Sequence, residues 1–370
     1  MKKIRALVLG YMFFNPISQR GINVLTKTLA ELSMDVDFVS YPIYFAKKEG
    51  KNYLSTWYSN NGGIVSNKIA RVNIPYSSSH FPNFIKKSFI KFFEQTHVHT
   101  SPKINFEEYD VVVIESGKGV FFADHINGPI LIYRQSDPVE FGIDPSLGIY
   151  ERKLIEKADL TLVVNESIKE IYEENYPHLI SKMRVWENGF EPLKERMKIK
   201  NPFDNTKKNV VYFGLFPIDI KLLIFASEKM PDVHFHIFGY FNKRYSIPKN
   251  LHFHGFIPHK ELIPFINNAD IFILPYKDDK KRLSIVEKTS KILLCMSTKK
   301  PIIASNFTNS DKLEKYGVVI SNSNENFVEK IREFLEKPVV FNYNLDLKKY
   351  LIQERVKELK KILVEDINIF

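Results

Sequence analysis

Cys295 is the only cysteine in a chain of 370 residues. No disulfide can form within the chain, which excludes a small disulfide-stapled scaffold. One thiol fits a reducing compartment, and its setting, KILLCMS, reads as a helix interior and therefore as core packing rather than a nucleophile. No run of about 18 apolar residues occurs, so the sequence offers no candidate spanning helix. The opening stretch MKKIRALVLGYMFF superficially resembles a short leader, yet no small-residue cleavage site follows, and it reads better as a first buried strand. The expected location is cytoplasmic. A P-loop, a glycine-rich dinucleotide fingerprint and a His/Cys cluster at metal-ligand spacing are all missing from this reading. The formal net charge of +10 invites a polyanion, but the common nucleic-acid modules are absent too, so no nucleic-acid partner is expected. With aromatics at 14%, the basic excess suits a membrane surface at least as well.

What the chain does have is length and alternation. A chain of 370 residues with 44% hydrophobic content is comfortable as two domains, each with a core. Near-continuous apolar runs recur: Ile4–Gly10, Val36–Tyr41, Val111–Glu115, Ile130–Tyr133 and Leu160–Asn165, then Val210–Leu215, Phe235–Gly239, Leu251–Gly255, Ile271–Tyr276, Pro301–Ser305 and Val318–Ser321. Such runs mark strands buried on both faces of a parallel sheet, and helical patterns lie between most of them. The reading is α/β, with two Rossmann-like domains whose parallel sheets face an interdomain cleft. Residues 1–190 are predicted to form an acceptor-binding domain. Residues 191–208, polar and basic with two prolines, form a linker, and 209–344 form the nucleotide-binding domain. Residues 345–370 are read as a surface helix that returns to the first domain.

In an open parallel sheet, ligands bind beyond the carboxyl ends of the strands. Asp137 follows the ILIY run there and is a candidate general base for an attacking hydroxyl, with an N-cap or an Arg134 partner as the ordinary alternative. Glu115 ends VVVIE on the same edge and is the rival base, or else holds Arg134 or an acceptor hydroxyl. Gly214 follows VVYF, and Tyr276 ends FILPY, a place for a residue beside a nucleotide. Ser290 and Lys291 stand at a helix start, where a lysine and helix-terminal amides would stabilise a leaving diphosphate without a metal. Asp35 and Asp37 match an Asp-x-Asp pattern but open a strand, away from the expected ligand edge, and are read as chance. No cofactor or metal is expected.

The segment Phe81–Phe93, FPNFIKKSFIKFF, sets Phe84, Phe89 and Phe92 broadly on one side of a helical wheel and Lys86, Lys87 and Lys91 toward the other. A basic amphipathic helix of this kind docks on an anionic bilayer surface, although an ordinary domain helix with a solvated lysine face fits the same pattern.

Taken together, SQRGINVLTKTLA at Ser18–Ala30, VVVIESGKGVFF at Val111–Phe122, LIYRQSD at Leu131–Asp137, VVYFGLFPID at Val210–Asp219, FHIFG at Phe235–Gly239, ILPY at Ile273–Tyr276 and TSKILL at Thr289–Leu294 resemble the GumK-like family of the xanthan pathway. Its members are inverting, two-Rossmann glycosyltransferases of the membrane surface. The resemblance implies a nucleotide-sugar donor, UDP-linked in expectation, and a lipid-linked saccharide acceptor. It implies an enzyme lodged peripherally on the inner face of the cell membrane. It makes Asp137 the base, Lys291 a donor-phosphate contact and Tyr276 a neighbour of the nucleotide. Two departures lie near the donor: Leu215-Phe216 replaces a small-residue and Met step after Gly214, and Ser290 replaces a methionine. Glucuronate as the transferred sugar is therefore open. Retaining relatives often carry two glutamates eight positions apart, whereas Glu287 is followed at that distance by Cys295, which argues for inversion. The rival readings are a nucleotide-sugar epimerase of the same plan, detectable as isomerised donor without acceptor, and a noncatalytic saccharide- or lipid-binding protein, which would bind no nucleotide.

Overall fold

A computed structural model describes residues 3–10, 14–16, 18–40, 56–69, 71–73, 99–101, 104–143, 145–193, 200–204, 206–215, 217–239, 245–337 and 339–368. The chain divides into two compact units. Unit 1 comprises Met1–Asn188 and Ile352–Phe370; unit 2 is Gly189–Leu351.

Unit 1 contains β1 (Arg5–Gly10), β2 (Asp35–Ser40), β3 (Thr56–Tyr58), β4 (Ile64–Ile69), β5 (Arg71–Asn73), β6 (His99–Ser101), β7 (Val111–Glu115), β8 (Ile130–Gln135), β9 (Leu160–Val163) and β10 (Met183–Val185). Eight of these form one sheet in the order β10-β9-β8-β7-β1-β2-β4-β3, while β5 and β6 pair separately. All neighbours in the large sheet are parallel except β3 with β4. β7 and β9 are buried along their whole length, as the strands of a sheet covered on both faces must be. The helix Gly21–Glu31 follows β1 and buries Ile22, Leu25 and Leu29. The helix Ile352–Glu365 lies against it and adds Leu359 and Leu363, both at 0% exposure, to the same core. The buried Trp186 donates its indole N–H to the Arg355 carbonyl at 2.9 Å, tying the point where the chain leaves the unit to the point where it returns.

Unit 2 contains β11 (Lys208–Phe213), β12 (Val233–Phe238), β13 (Leu251–Gly255), β14 (Ile271–Leu274), β15 (Ile302–Ser305) and β16 (Val319–Ser321). They form a six-stranded sheet in the order β13-β12-β11-β14-β15-β16, parallel throughout. This is the doubly wound order, with its switch point between β11 and β14, the place beyond the strand ends where sheets of this kind take ligands. In unit 1 the order reverses between β1 and β7. The two α/β parallel-sheet domains expected from the apolar runs are present. Strand ends differ from the expected ones by a residue or two, the usual uncertainty of a strand boundary. β3, β4, β5, β6 and β10 lie outside the expected runs. Among the described residues, no helix is long and apolar enough to cross a membrane.

Candidate active site

The carboxyl edge of the unit 1 sheet gathers four charged side chains. Glu115 ends β7 and lies opposite Arg134 of β8 in the register. Both are buried, at 1% and 0% exposure, so neither charge is solvated by water. Arg20, the residue before the first helix, donates from Nη2 to Glu115 Oε1 at 3.2 Å. Arg134 places its guanidinium 4.5 Å from the centre of the Trp186 ring. Its Nη1 donates to the carbonyls of Leu162 and Trp186 at 3.3 and 3.0 Å. Burial lowers its pKa to about 9, against the opposing pull of Glu115 and Asp137. A Cβ at Gly21 would stand 2.9 Å from Arg134 Nη2, so a side chain there would displace the guanidinium.

Asp137 lies just past the end of β8 with an exposed side chain. The protein around it still removes enough water to raise its pKa above the ordinary 3.8, while Arg20 and Arg134 pull it down. A carboxylate tuned upward is a better proton acceptor near neutral pH, and an exposed one can be reached by a substrate hydroxyl. Its backbone is clamped: the amides of Ser136 and Asp137 both donate to Ser116 Oγ at 3.2 Å.

The loop carrying Asp137 is also held from beneath, by a residue the sequence reading did not single out. Glu151 is fully buried and accepts five hydrogen bonds. Its Oε1 receives Tyr133 Oη at 2.6 Å, Gln135 Nε2 at 2.8 Å and the Val139 amide at 3.0 Å. Its Oε2 receives the Glu140 amide and Tyr172 Oη, each at 2.9 Å. Burial and Glu151 raise the Tyr172 pKa, so that phenol stays a donor. Truncation should leave these donors unpaired in a dry site, at about 1–3 kcal/mol for each group that finds no water. Glu151→Ala is therefore expected to cost unit 1 at least about 3 kcal/mol. Chemical denaturation followed by a unit 1 probe such as Trp186 fluorescence checks this; an unchanged midpoint would remove Glu151 as the loop's anchor.

At the switch point of unit 2, Gly214 follows β11 with φ +151°, in the region that favours glycine. A Cβ there would meet Lys291 Nζ at 2.9 Å and Tyr212 Oη at 3.1 Å. Lys291 enters from the helix Ser290–Ser297, whose cap Thr289 accepts the Ile292 amide at 3.4 Å. Its Nζ donates to Tyr276 Oη at 2.7 Å and lies 4.7 and 5.0 Å from the centres of the Tyr212 and Tyr276 rings. Desolvation lowers its pKa to about 8. Tyr212 and Tyr276 are themselves pushed up by burial and remain neutral. Among the described residues no carboxylate forms an ion pair with Lys291, whose neighbours are phenols and ring faces. Ser290 begins the same helix at intermediate exposure.

The structure thus brings Glu115, Arg134 and Asp137 together on the unit 1 sheet edge, and Gly214, Tyr276 and Lys291 together in unit 2, with Ser290 beside Lys291. Arg20 and Tyr212 join these groups, and the sequence reading gave neither a role. Phe216 lies outside the described residues, as do Phe84, Lys86, Lys87, Phe89, Lys91 and Phe92. Asp35 and Asp37 stand at the amino-terminal end of β2. Asp35 pairs with Lys3 at 2.6 Å, while Asp37 pairs with Lys68 and accepts from Tyr109 Oη, each at 2.7 Å. Glu287 is buried against Lys288 and the Tyr316 hydroxyl. Cys295 is buried in a helix, its thiol pushed up to about 12 by burial, which keeps it unreactive.

Residues 13–164 match the family described as glucuronosyltransferase GumK, N-terminal domain, and residues 207–337 match glycosyl transferases group 1. No curated protein matches the chain in sequence. Among solved structures, HepE of Anabaena, crystallised with UDP and glucose, is similar at 13% identity and a TM-score of 0.64, over 98% of this chain and 100% of its own. The pneumococcal O-GlcNAc transferase GtfA, with UDP and GlcNAc, is similar at 11% identity and a TM-score of 0.61, over 99% and 100%. A glycosyltransferase from Rickettsia africae gives 14% and 0.59, over 99% of each chain. The fold and the two domain matches define the class: this is a glycosyltransferase of the GT-B fold. More particularly, its amino-terminal part is similar to the GumK amino-terminal domain and its carboxy-terminal part to the group 1 transferase domain.

Proposed function

We propose that the protein is an inverting transferase that moves a sugar from a UDP-linked donor to a lipid-linked saccharide at the inner face of the cell membrane, in the synthesis of a surface polysaccharide. The observation that carries this reading is Asp137: an exposed carboxylate with a raised pKa, on a loop fixed by Ser116 and Glu151, with Arg20 and Arg134 near it. In the proposed reaction the acceptor hydroxyl oxygen attacks the anomeric carbon and passes its proton to Asp137. The bond from that carbon to the diphosphate breaks, and the departing charge falls to Lys291 and the helix start at Ser290, with no metal required. Tyr276 orients Lys291, and Gly214 lets the donor approach the end of β11. Glucuronate is the first candidate for the sugar, since it would bring a carboxylate to a strongly basic chain.

The test is a transfer screen with UDP-, GDP- and TDP-linked sugars, with the anomeric configuration of the product read by NMR. An α-linked donor should give a β-linked product. Retention of configuration would remove Asp137 as the base of a single displacement.

The acceptor's carrier stays in the bilayer, so the enzyme must come to it. Phe81–Phe93 supplies both attractions: aromatic burial, and lysines worth about 1 kcal/mol each near an anionic surface. Replacing Lys86, Lys87 and Lys91 together with glutamate should release the protein from anionic vesicles in co-sedimentation. Transfer to a lipid acceptor should slow while transfer to a short soluble analogue is spared. Unchanged co-sedimentation would assign docking to another surface.

A further inference from the structure

Four histidines that the transfer chemistry does not use stand on one face of the unit 2 sheet. β12 reads VHFHIF and β13 reads LHFHG. Alternation sends His234 and His236 to one side of β12. His252 and His254 alternate in the same way on β13, and the register sets His236 opposite His252. The result is a set of ring contacts: His236 lies 4.9 Å from His252 and 5.2 Å from His254, with near-parallel planes.

Three of these rings converge at their nitrogens. One ring nitrogen each of His234, His236 and His252 lie within 4.8 Å of one another. His234 Nδ1 and His252 Nε2 are 3.2 Å apart. Two imidazole nitrogens at about 2.0–2.1 Å from one tetrahedral ion stand roughly 3.4 Å apart, so this pair is already close to the spacing a shared ion needs. His236 is oriented by a further residue. Asn209 Nδ2 donates to the Lys207 carbonyl at 2.9 Å, which turns its Oδ1 toward His236 Nε2 at 3.1 Å. That oxygen can only accept, so Nε2 carries the proton and Nδ1 is an acceptor, which faces His254 Nε2 at 3.0 Å and would exchange that partner for the ion. Metal-binding histidines are commonly fixed in this way through their second nitrogen.

Access and selectivity follow from the same residues. His236 is buried and forms the floor, while His234 and His252 are partly exposed and leave a path from solvent. The three ligands are nitrogens with no carboxylate among them. Calcium and magnesium, which want oxygen, are therefore disfavoured against zinc-class ions. His234 and His252 are the second residues of their strands, whereas the donor-site residues follow strand ends, so the cluster stands apart from the transfer chemistry.

We propose that His234, His236 and His252 bind one divalent transition metal ion of the zinc class. The ion fastens the edge strand β13 to β12 and stabilises unit 2. Titration of tag-free full-length protein with zinc chloride by calorimetry, paired with a thermal melt, tests this. The expected result is saturable binding of one ion per chain, with a higher melting temperature in zinc. The double variant His234→Gln with His252→Gln should lose that binding and its thermal shift. Asn209→Ala should weaken binding about 10–100-fold while sparing every ligand. Circular dichroism checks that the variants fold; His252→Gln alone, at the sheet edge, serves if the double variant does not. Absence of saturable binding in the unsubstituted protein overturns the proposal. So does undiminished binding in the folded variants, which would place the ion on scattered surface histidines.

Discussion

Asp137→Asn should lower the rate of transfer by about 10²–10⁴, the usual contribution of a positioned general base. Donor affinity should stay near that of the unsubstituted enzyme, because Asp137 belongs to unit 1 and the proposed diphosphate contacts belong to unit 2. The substitution keeps size and shape, and the hydrogen bond that fixes position 137 runs from its backbone to Ser116, not from its carboxylate. Single-turnover kinetics with a saturating UDP-sugar separates the two effects. Near-normal turnover would transfer the role to Glu115, which lies on the same edge but is buried and already paired with Arg20.

Lys291→Met should weaken UDP binding and reduce turnover by about 10²–10³, the loss typical of removing one donor aimed at developing charge. A pH dependence accompanies it. Lys291 has its pKa lowered to about 8, so its positive charge is present below that value and is lost as pH rises through it. UDP affinity should therefore fall above about pH 8 in the unsubstituted protein. That dependence should flatten in Lys291→Met. Asp137 works in the opposite sense: it accepts a proton only when ionised, so activity should rise with pH through a value above the ordinary 3.8. The product of the two is a bell-shaped profile of kcat/KM. UDP affinity independent of both pH and residue 291 would exclude the lysine from the phosphate site.

The central strands were legible because parallel strands covered on both faces leave no room for polar alternation, and VVVIE and IFIL announce themselves. β3 and β10 are short, and β4, IVSNKI, mixes polar residues into its run, so none shows a continuous apolar signal. The ends of β8 and β14 were equally readable, since a polar residue directly after an apolar run must fall at the sheet edge. Partners across the fold were not. Glu151 is a helical residue with nothing local to distinguish it; its meaning comes from Tyr133, Gln135, Val139, Glu140 and Tyr172 arriving from other elements. Arg20 precedes a helix and gains its role from Glu115, which is 95 residues away. The histidines did leave a trace, since β12 and β13 each carry His-Phe-His. Each copy alone reads as an ordinary buried strand, and only the pairing of β12 with β13 joins them.

Unit 1 is completed by Ile352–Glu365, whose leucines fill the core beside the first helix. On the ribosome, this order of parts separates beginning from finishing. The first eight-stranded sheet emerges early, but its last hydrophobic stripe follows only after the whole of unit 2 has been translated, roughly ten to thirty seconds later at ordinary elongation rates. During that interval Ile22, Leu25 and Leu29 lack their final cover, while unit 2, which is contiguous in sequence, has everything it needs. The expected birth order is therefore inverted: the second domain reaches its native state first, and the first waits for the last segment of the chain.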